Sequence, residues 1–418
     1  MHTELSDSSR AQLADRVHAI VQDTPVFDIH THLYDPAFGS LLLYGIDDLL
    51  TYHYLVAEVF RYTDVSYEAF WKLTKSEQAD VIWKHLFLEH SPISEACRGV
   101  LTTLNKLGLD VGKRELPLIR KWYAEQSPES IVNRCLETAN VNRICMTNSP
   151  FDPLERPVWD KGFDRDSRFV GGLRIDPLLL DWENTVGALQ GDDFQVQPEL
   201  NDKTVSEIKR FLSQWNQKFA AQYLMVSLPP SFRYPADNPT TEILQKAVIP
   251  HCIENNQPLA LMIGVKRAVN PQLELAGDGM GRSELQALEN LCSQHPEAKF
   301  LCTVLAKENQ HELCVLARKF PNLHIFGCWW FTNVPHVIDE MTRLRFELLG
   351  LSVTPQHSDA RVLDQLIYKW SHSRTIIANV LAEKYADIVS AGWQVTDEEI
   401  KRDVRNLFGG AFETFCKK

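Results

Sequence analysis

The sequence predicts an α/β protein, a (β/α)8 or TIM barrel with a helical insertion after the first strand. Eight short runs of apolar and β-branched residues have strand length, and amphipathic stretches with helical spacing separate most of them. A closed parallel barrel requires strands that alternate with helices, since parallel neighbours need crossover connections. The predicted strands are PVFDIHTHL (25–33), NRICMTN (142–148), FVGGLRI (169–175), YLMVSLP (223–229), PLALMIGV (258–265), KFLCTVL (299–305), LHIFGCWW (323–330) and LLGLSVT (348–354).

The spacing of these strands predicts the domain organisation. From the second strand onward, most intervals have room for one or two helices, such as the amphipathic stretch 206–222. The first interval, 34–140, is too long for one crossover and contains several such stretches, so we predict a helical insertion that covers one end of the barrel. No internal repeat or Gly/Ser linker divides the chain. We therefore expect one domain over residues 1–418 rather than two separate domains.

Composition and charge narrow the classes of function. The 418 residues include 43 Lys and Arg against 55 Asp and Glu, a formal net charge of −12 that would repel a nucleic acid. The amino-terminal stretch lacks a basic segment followed by an apolar run, and no window reaches the ~18 apolar residues of a membrane span. Nine cysteines without a CxxC pair favour reduced, buried thiols. We expect a cytoplasmic protein that binds neither nucleic acid nor membrane.

Two histidines lie at the end of the first predicted strand. His30 and His32 are two residues apart in DIHTHL, so the period-2 geometry of a strand points both imidazoles to the same side. Two imidazole nitrogens at this spacing are half of a divalent metal site, although an isolated HxH pattern is more often structural. At the carboxyl end of a barrel strand, the pair would open into the cavity where barrel enzymes hold their active sites.

A carboxylate that could complete this site follows the eighth predicted strand. Asp359 lies in TPQHSDAR, and closure of a barrel would bring strand eight beside strand one. Its carboxylate could bind the metal and also act as a general base. Without that closure, the same Asp is more simply part of a turn or a surface ion pair. Two histidines with one carboxylate suit Zn first, with Mn, Fe or Ni as alternatives.

Several short motifs resemble those of a known enzyme family. An HxH after the first strand with a single Asp after the last is the pattern of the amidohydrolase superfamily, and within it the chain resembles the uronate isomerases. The resemblance extends from about residue 25 to 410, and the motifs keep their order. The motifs are DIHTHL (28–33), DLLTYHYL (48–55), LRIDPLLL (173–180), IGVKR (263–267), GCWWF (327–331) and SDAR (358–361).

The resemblance implies the roles of further residues. It implies that the two histidines and the aspartate named above bind one divalent cation, and that His53 and Tyr54 face the substrate. Arg174 and Arg361 would contact the substrate through its carboxylate and hydroxyl groups, and Trp330 would line the pocket. Each has a structural alternative: packing within a helix for the His-Tyr pair, an ion pair for Arg174, and barrel core for the tryptophan.

The implied reaction interconverts the aldose and ketose forms of a hexuronate such as glucuronate or fructuronate. A proton moves between adjacent carbons through an enediol, so the site needs a base, an acid and a stabiliser of oxyanion charge. Asp359 would be the base, Tyr54 would shuttle the hydroxyl proton or help to polarise the oxygen, and His53 or the metal would assist. The arginines would hold the planar carboxylate of this sugar acid in a bidentate manner.

The chain departs from the family's pattern in three places. Met262 stands where the family has a histidine, Ser227 where an acidic residue is expected, and IYKWSHSR (367–374) where an Arg-His pair is expected. A thioether cannot replace an imidazole as a proton carrier. Two alternatives therefore stay open: a metal-dependent hydrolase or decarboxylase acting on a small acidic substrate, and a barrel that binds a sugar acid without catalysis. We also expect a homo-oligomer, because exposed helical insertions commonly contact neighbouring subunits.

Overall fold

Seven parallel strands form a curled sheet at the centre of the molecule. The computed structural model describes residues 6–418. The strands in chain order are β1 (Val26–Thr31), β2 (Val141–Asn148), β3 (Phe169–Arg174), β4 (Ala221–Leu228), β5 (Leu259–Ile263), β6 (Val265–Lys266), β7 (Gly279–Met280), β8 (Phe300–Val304) and β9 (Leu323–Ile325). The parallel sheet has the order β1-β2-β3-β4-β5-β8-β9, so each of its strands pairs with the next sheet strand along the chain.

An extended segment, residues 353–360, lies between the two outer strands of this sheet. Thr354 forms a parallel bridge with Phe326, the residue after β9. Further along, the N–H of Asp359 donates to the carbonyl oxygen of His30 in β1 over 3.2 Å. The segment therefore connects β9 to β1 by hydrogen bonds, and the α/β fold is TIM-barrel-like.

The eighth predicted strand, 348–354, is not a strand in the structure. A helix that spans Pro335–Leu349 takes up its first residues, and Gly350 ends that helix with φ 60°. Glycine adopts this left-handed conformation without the steric penalty of a side chain, which makes it a common helix terminator. Only Thr354 of the predicted run forms a bridge, whereas each of the other seven runs overlaps an observed sheet strand.

A short antiparallel hairpin, which the sequence analysis did not predict, follows β5. In it β6 pairs with β7, and the 3₁₀ segment Pro271–Gly277 lies between them. Strands of two residues have no measurable periodicity, which explains why the pattern of the sequence did not reveal them. The indole N–H of Trp71 donates to the carbonyl oxygen of Gln272 over 2.8 Å, which joins the hairpin loop to the helices that follow β1.

Helices fill the connections, and seven of them lie in the interval 34–140. Several begin at side-chain caps; Thr74 and Thr396 each form a reciprocal capping box with a glutamate three residues later. Within residues 6–418 no helix combines the length and apolarity needed to cross a bilayer. The α-helices are α1 (Asp7–Asp23), α2 (Ile46–Leu50), α3 (His53–Val59), α4 (Tyr67–Trp71), α5 (Lys75–Trp83), α6 (Glu95–Lys106), α7 (Leu116–Ala124), α8 (Pro128–Ala139), α9 (Arg156–Lys161), α10 (Asp176–Leu180), α11 (Trp182–Gly191), α12 (Asp202–Phe219), α13 (Pro239–Ile243), α14 (Ile249–Glu254), α15 (Gln286–Gln294), α16 (Gln310–Ala317), α17 (Pro335–Leu349), α18 (Gln365–Ser390), α19 (Asp397–Arg405) and α20 (Ala411–Lys417).

The last helix, α20, packs against the amino-terminal ends of the strands. The ring of Phe412 lies edge-on, 5.8 Å from Phe27 of β1 and 6.0 Å from Tyr223 of β4. Phe415 stacks on His324 of β9 at 5.2 Å. This aromatic cluster fills one end of the sheet, and the opposite, carboxyl-terminal end is the usual place of a barrel active site.

Candidate active site

A cavity of about 580 Å³ opens at the carboxyl-terminal ends of the strands. Its walls come from the carboxyl-terminal ends of β1 to β5, from the loops after β1, β2, β3 and β9, from the start of α3, from the hairpin loop and from the segment around Asp359. All but one of the residues predicted for the site line this cavity. Those that line it are His30, His32, His53, Arg174, Trp330, Asp359 and Arg361.

Three of these residues form a cluster of potential metal ligands. Each of His30, His32 and Asp359 offers one ligand atom, and the three atoms lie within 4.8 Å of one another. The Oδ1 atom of Asp359 is 3.5 Å from Nε2 of His30 and 3.3 Å from Nε2 of His32. The segment 353–360 brings the carboxylate to β1, as the predicted closure of the sheet required.

The donor atoms of this cluster fit a divalent cation. Nε2 of His30 and Oδ1 of Asp359 are buried and have no hydrogen-bond partner among the described residues. A buried polar atom without a partner is unfavourable, so converging lone pairs of this kind suit a metal ion. Two imidazoles and one carboxylate are ligands that Zn²⁺ and related cations accept. The cluster could therefore hold a metal ion.

The charge states of the cluster also suit a cation. Burial lowers the pKa of His32 to about 4, so its imidazole is neutral near pH 7. Burial would raise the pKa of Asp359, but its interactions with His30 and His32 outweigh that effect and hold the pKa well below its usual range. Near neutral pH the cluster thus combines an ionised carboxylate with a neutral imidazole in His32.

Helix α3 directs His53, but not Tyr54, to the cavity. Nε2 of His53 is buried without a partner among residues 6–418, and the ring lies 5.3 Å from that of Trp330. Burial lowers the pKa of His53 to about 4. Tyr54 lines a separate, small pocket instead, because successive helical residues point about 100° apart. The structure therefore does not bring Tyr54 into the cavity with the other predicted site residues, and its contact with a substrate stays a prediction.

Tyr52, which the sequence analysis missed, lines the cavity in place of Tyr54. It is the residue just before α3, and its ring lies 4.0 Å from that of His53. The motif LTYHYL has a tyrosine on each side of the histidine, so the motif alone could not decide which of them reaches the substrate. Tyr54 contacts the buried ammonium group of Lys369, which lies 5.4 Å from its ring.

Two of the arginines in the cavity wall have carboxylate partners. Nη2 of Arg174 lies 3.2 Å from Oδ1 of Asp176, the ion pair that was the structural alternative for this arginine. Arg267, from the hairpin loop, pairs with Asp278 in the same loop. Each of these guanidinium groups is thus partly neutralised by its neighbour.

Arg361 differs, because it forms no ion pair with any residue in the described range 6–418. Its Nη1 atom donates to the carbonyl oxygen of Leu41 over 2.9 Å, and its guanidinium carbon lies 5.0 Å from the ring centre of Tyr34. These contacts hold the side chain in place without cancelling its charge. Arg361 is therefore the arginine of the cavity wall that has a full positive charge to offer an anionic ligand.

Two residues of the site have a backbone conformation that is uncommon outside glycine. The φ angle is 55° at Asp359 and 47° at Trp330. The amide of Asn333 lies between them: Nδ2 donates to the carbonyl oxygens of His357 (3.3 Å) and Ser358 (3.2 Å), and the backbone N–H donates to Trp330 (2.9 Å). One buried residue therefore contacts both turns, the first through its side chain and the second through its backbone, and such contacts help to hold strained conformations in place.

Asp28 supports the same segment from the other side. The N–H of Ser358 donates to both carboxylate oxygens of Asp28, at 3.1 and 3.2 Å, and the indole N–H of Trp370 donates to Oδ2 at 2.8 Å. These partners come from distant parts of the chain, so no local sequence signal could identify them. Asp28 thereby fixes the backbone next to Asp359.

Met262 and Ser227, two departures from the family's pattern, are neighbours in the structure. They are register partners in the pairing of β4 with β5, and both line the cavity. Neither side chain serves as a proton carrier near neutral pH. Asp359 and His53, which also line the cavity, have side chains that can carry a proton.

The chain was compared with protein-family models, with curated proteins and with solved structures. No protein-family model matches the chain. No curated protein matches it either. Among solved structures, a uronate isomerase from Bacillus halodurans C-125 is 52% identical, with 99% of this chain and 98% of that chain covered and a TM-score of 0.97.

Two more distant structures share the fold. A uronate isomerase from Thermotoga maritima is 16% identical, with a TM-score of 0.78 and 97% of each chain covered. A glucuronate isomerase from Caulobacter crescentus is 15% identical, with a TM-score of 0.79, and the match covers 100% of this chain and 97% of that one. At such low identity these two similarities concern the fold alone.

Proposed function

The chain belongs to the uronate isomerase family, and from this premise we propose that it interconverts the aldose and ketose forms of a hexuronate. One observation carries the proposal: the cluster of His30, His32 and Asp359 shares a single cavity with Arg361, a cation that has no carboxylate partner within residues 6–418. A sugar acid offers a carboxylate to the arginine and hydroxyl and carbonyl oxygens to the rest of the site. The overall negative charge of the protein does not prevent this, because the local charge decides binding.

The arginines orient the substrate. Arg361 would hold the substrate carboxylate through two parallel N–H···O bonds, which fixes the direction of the sugar chain as well as its distance. Arg174 keeps its bond to Asp176 and contributes a weaker contact. Trp330 would give the sugar an apolar wall next to His53.

The isomerisation transfers one proton from carbon 2 of the aldose to carbon 1, and another between the two oxygens. Asp359 is ionised and would take the proton from carbon 2 and return it to carbon 1 of the enediol. His53 is neutral near pH 7, and we propose that it moves the hydroxyl proton with the help of Tyr52. Tyr54 would support His53 from outside the cavity rather than contact the sugar.

A bound divalent cation would act as a Lewis acid that polarises the sugar oxygens. We propose Zn²⁺ as the resident ion, with Mn²⁺, Fe²⁺ or Ni²⁺ as alternatives, because the ligand set accepts all four. We also interpret the fold as a complete (β/α)8 barrel in one domain. In this interpretation the segment 353–360 takes the place of the eighth strand, and residues 34–140 are a helical insertion.

The test is isomerisation in D2O. Purified protein with added Zn²⁺ or Mn²⁺ is incubated with glucuronate, fructuronate and galacturonate, and the products are followed by NMR. Aldose–ketose conversion with deuterium on the carbon next to the carbonyl is the expected result, since only proton transfer at that carbon exchanges it with solvent.

Two other outcomes would contradict the proposal. Release of a cleaved or decarboxylated product without deuterium in the remaining substrate would indicate a hydrolase or decarboxylase. Binding of the sugar acids without any conversion, in protein that holds a stoichiometric metal ion, would indicate a barrel that has lost catalysis.

A further inference from the structure

In both histidines of the cluster, the second ring nitrogen, Nδ1, has one hydrogen-bond neighbour among residues 6–418, and in each case it is a hydroxyl group. Nδ1 of His30 lies 3.2 Å from the phenol oxygen of Tyr223 in β4. Nδ1 of His32 lies 3.0 Å from the hydroxyl oxygen of Thr147 in β2. Both hydroxyl-bearing residues are buried, so bulk water does not compete for these bonds.

Both hydroxyl groups also contact a backbone carbonyl. The phenol of Tyr223 donates to the carbonyl oxygen of Ile29 over 2.7 Å, and the hydroxyl of Thr147 donates to that of Thr31 over 2.8 Å. In each case the carbonyl belongs to the residue just before the histidine. The same arrangement thus occurs twice, with hydroxyl groups from two different strands.

The direction of these hydrogen bonds follows from proton counting. A hydroxyl group has one hydrogen, and a carbonyl oxygen can only accept. At 2.7 or 2.8 Å the hydroxyl hydrogen must point to the carbonyl oxygen, because two oxygen atoms so close without a hydrogen between them would repel each other. Each hydroxyl oxygen is then left to accept from the imidazole, so each Nδ1 has a hydrogen.

We infer that Tyr223 and Thr147 are positioning residues that hold His30 and His32 in the Nδ1–H tautomer, which leaves Nε2 of both rings free to bind a divalent cation. A neutral imidazole has one hydrogen, so fixing it on Nδ1 guarantees a lone pair on Nε2. The bonds also fix the rotation of each ring, which keeps the two Nε2 atoms directed to Oδ1 of Asp359.

This inference rests on the metal site of the proposed function and not on its substrate. It assigns a role to two residues outside the motifs of the sequence. Substitution of such outer partners typically lowers metal affinity by about 10- to 100-fold. We expect weaker metal binding rather than its complete loss, because His30, His32 and Asp359 remain in these variants.

The test compares the Zn²⁺ affinity of variants that lack one hydroxyl group, measured by competition with a chromophoric chelator. Tyr223→Phe and Thr147→Val keep the size of the side chain, and each is expected to weaken Zn²⁺ binding by roughly 10- to 100-fold. Thr147→Ser restores the hydroxyl and should return the affinity to within about threefold of the wild-type value, since the acceptor is present again. The absorption spectrum of the Co²⁺-loaded protein gives a second readout of ligand geometry.

Two control variants remove a hydroxyl elsewhere. Thr303→Val removes a buried hydroxyl that has no partner among the described residues, and Tyr385→Phe removes one that donates to Asp403. Both should bind Zn²⁺ like the wild type. Tyr223→Phe and Thr147→Val variants that bind Zn²⁺ as tightly as these controls would overturn the inference. Wild-type protein that binds no divalent ion would instead contradict the metal site of the proposed function.

Discussion

Arg361 is the residue on which we expect substrate affinity to depend most directly in this site. Its guanidinium is held by Leu41 and Tyr34 but is not neutralised by a carboxylate. We predict that Arg361→Met raises the KM for a hexuronate by roughly 10- to 150-fold, because a hydrogen bond to a charged group contributes about 1.5–3 kcal/mol. Steady-state kinetics at saturating metal measures this change.

The matched control is Arg233→Met, which removes an exposed guanidinium paired with Glu284 away from the cavity. Its KM should stay at the wild-type value. An Arg361→Met enzyme with an unchanged KM and a full content of metal would show that the substrate carboxylate binds elsewhere.

At the residue scale, the sequence predicted the three residues of the cluster but not the residues that support them. The HxH spacing placed His30 and His32 on one side of a strand, and the structure brings them to Asp359. Thr147 and Tyr223 carry no such signal, because an isolated hydroxyl residue in a strand looks like any other. Their partnership with the histidines depends on side-chain directions that only the folded chain provides.

Among the secondary-structure elements, the turn after β9 allows little change. Gly327 has φ 67°, and a Cβ atom there would lie 1.6 Å from Cδ2 of His357, whose ring is next to that of His30. We predict that Gly327→Ala destabilises the protein by roughly 2–5 kcal/mol, through the left-handed backbone and the overpacking together. Denaturant unfolding measures the loss, and a fall in Zn²⁺ affinity should accompany it.

Gly187→Ala is the corresponding control within a helix. Apart from Gly187 itself, its chain neighbours and the nearby backbone of α11, no atom of the described residues lies within 4 Å of a Cβ built there, so alanine should stabilise the protein by about 0.5–1 kcal/mol. If the two alanine variants have equal stability, the turn after β9 is not as crowded as the structure indicates.

Periodicity located the strands of the sheet better than it located the element that completes it. Seven apolar runs coincide with sheet strands, whereas 348–354 was wrong as a strand because its first residues belong to α17. The segment 353–360 bonds to its neighbours through few residues, and buried polar side chains such as Asn333 hold it in place. No alternation of apolar residues marks a segment of this kind.

For the whole molecule, buried histidines predict a loss of stability in acid. His324 of β9 is 3% exposed, accepts or donates one hydrogen bond with Thr354 at 2.9 Å, and has its pKa lowered by burial to about 3. Between pH 6.5, the ordinary pKa of a histidine, and about pH 3, this imidazole binds a proton in the unfolded chain but not in the folded one. The free energy of unfolding therefore decreases as the pH falls through this window, by about 1.4 kcal/mol per pH unit for this group.

We predict that His324→Gln makes the free energy of unfolding less dependent on pH in that window. The slope should fall by about 1.4 kcal/mol per pH unit, which corresponds to one proton. Urea unfolding at several pH values measures the slope. Phe415→Leu is the control, because it removes the ring stacked on His324 but keeps the titrating group, so stability should fall while the slope persists. An unchanged slope in His324→Gln would contradict a neutral, buried imidazole at this position.

The global organisation was predictable because it follows from the order of elements along the chain. Alternating strands and helices predict a parallel sheet, and the motifs at the strand ends predict one common cavity. The choice of Tyr52 over Tyr54 was not predictable, because it depends on where α3 begins.

The central claim is that one divalent cation binds between His30, His32 and Asp359. The most direct test is the anomalous difference density of a Zn²⁺-loaded crystal, collected on both sides of the zinc absorption edge. We expect one peak about 2.0–2.2 Å from Nε2 of both histidines and from a carboxylate oxygen of Asp359. A peak at any other position, or none in this cavity, would contradict the claim.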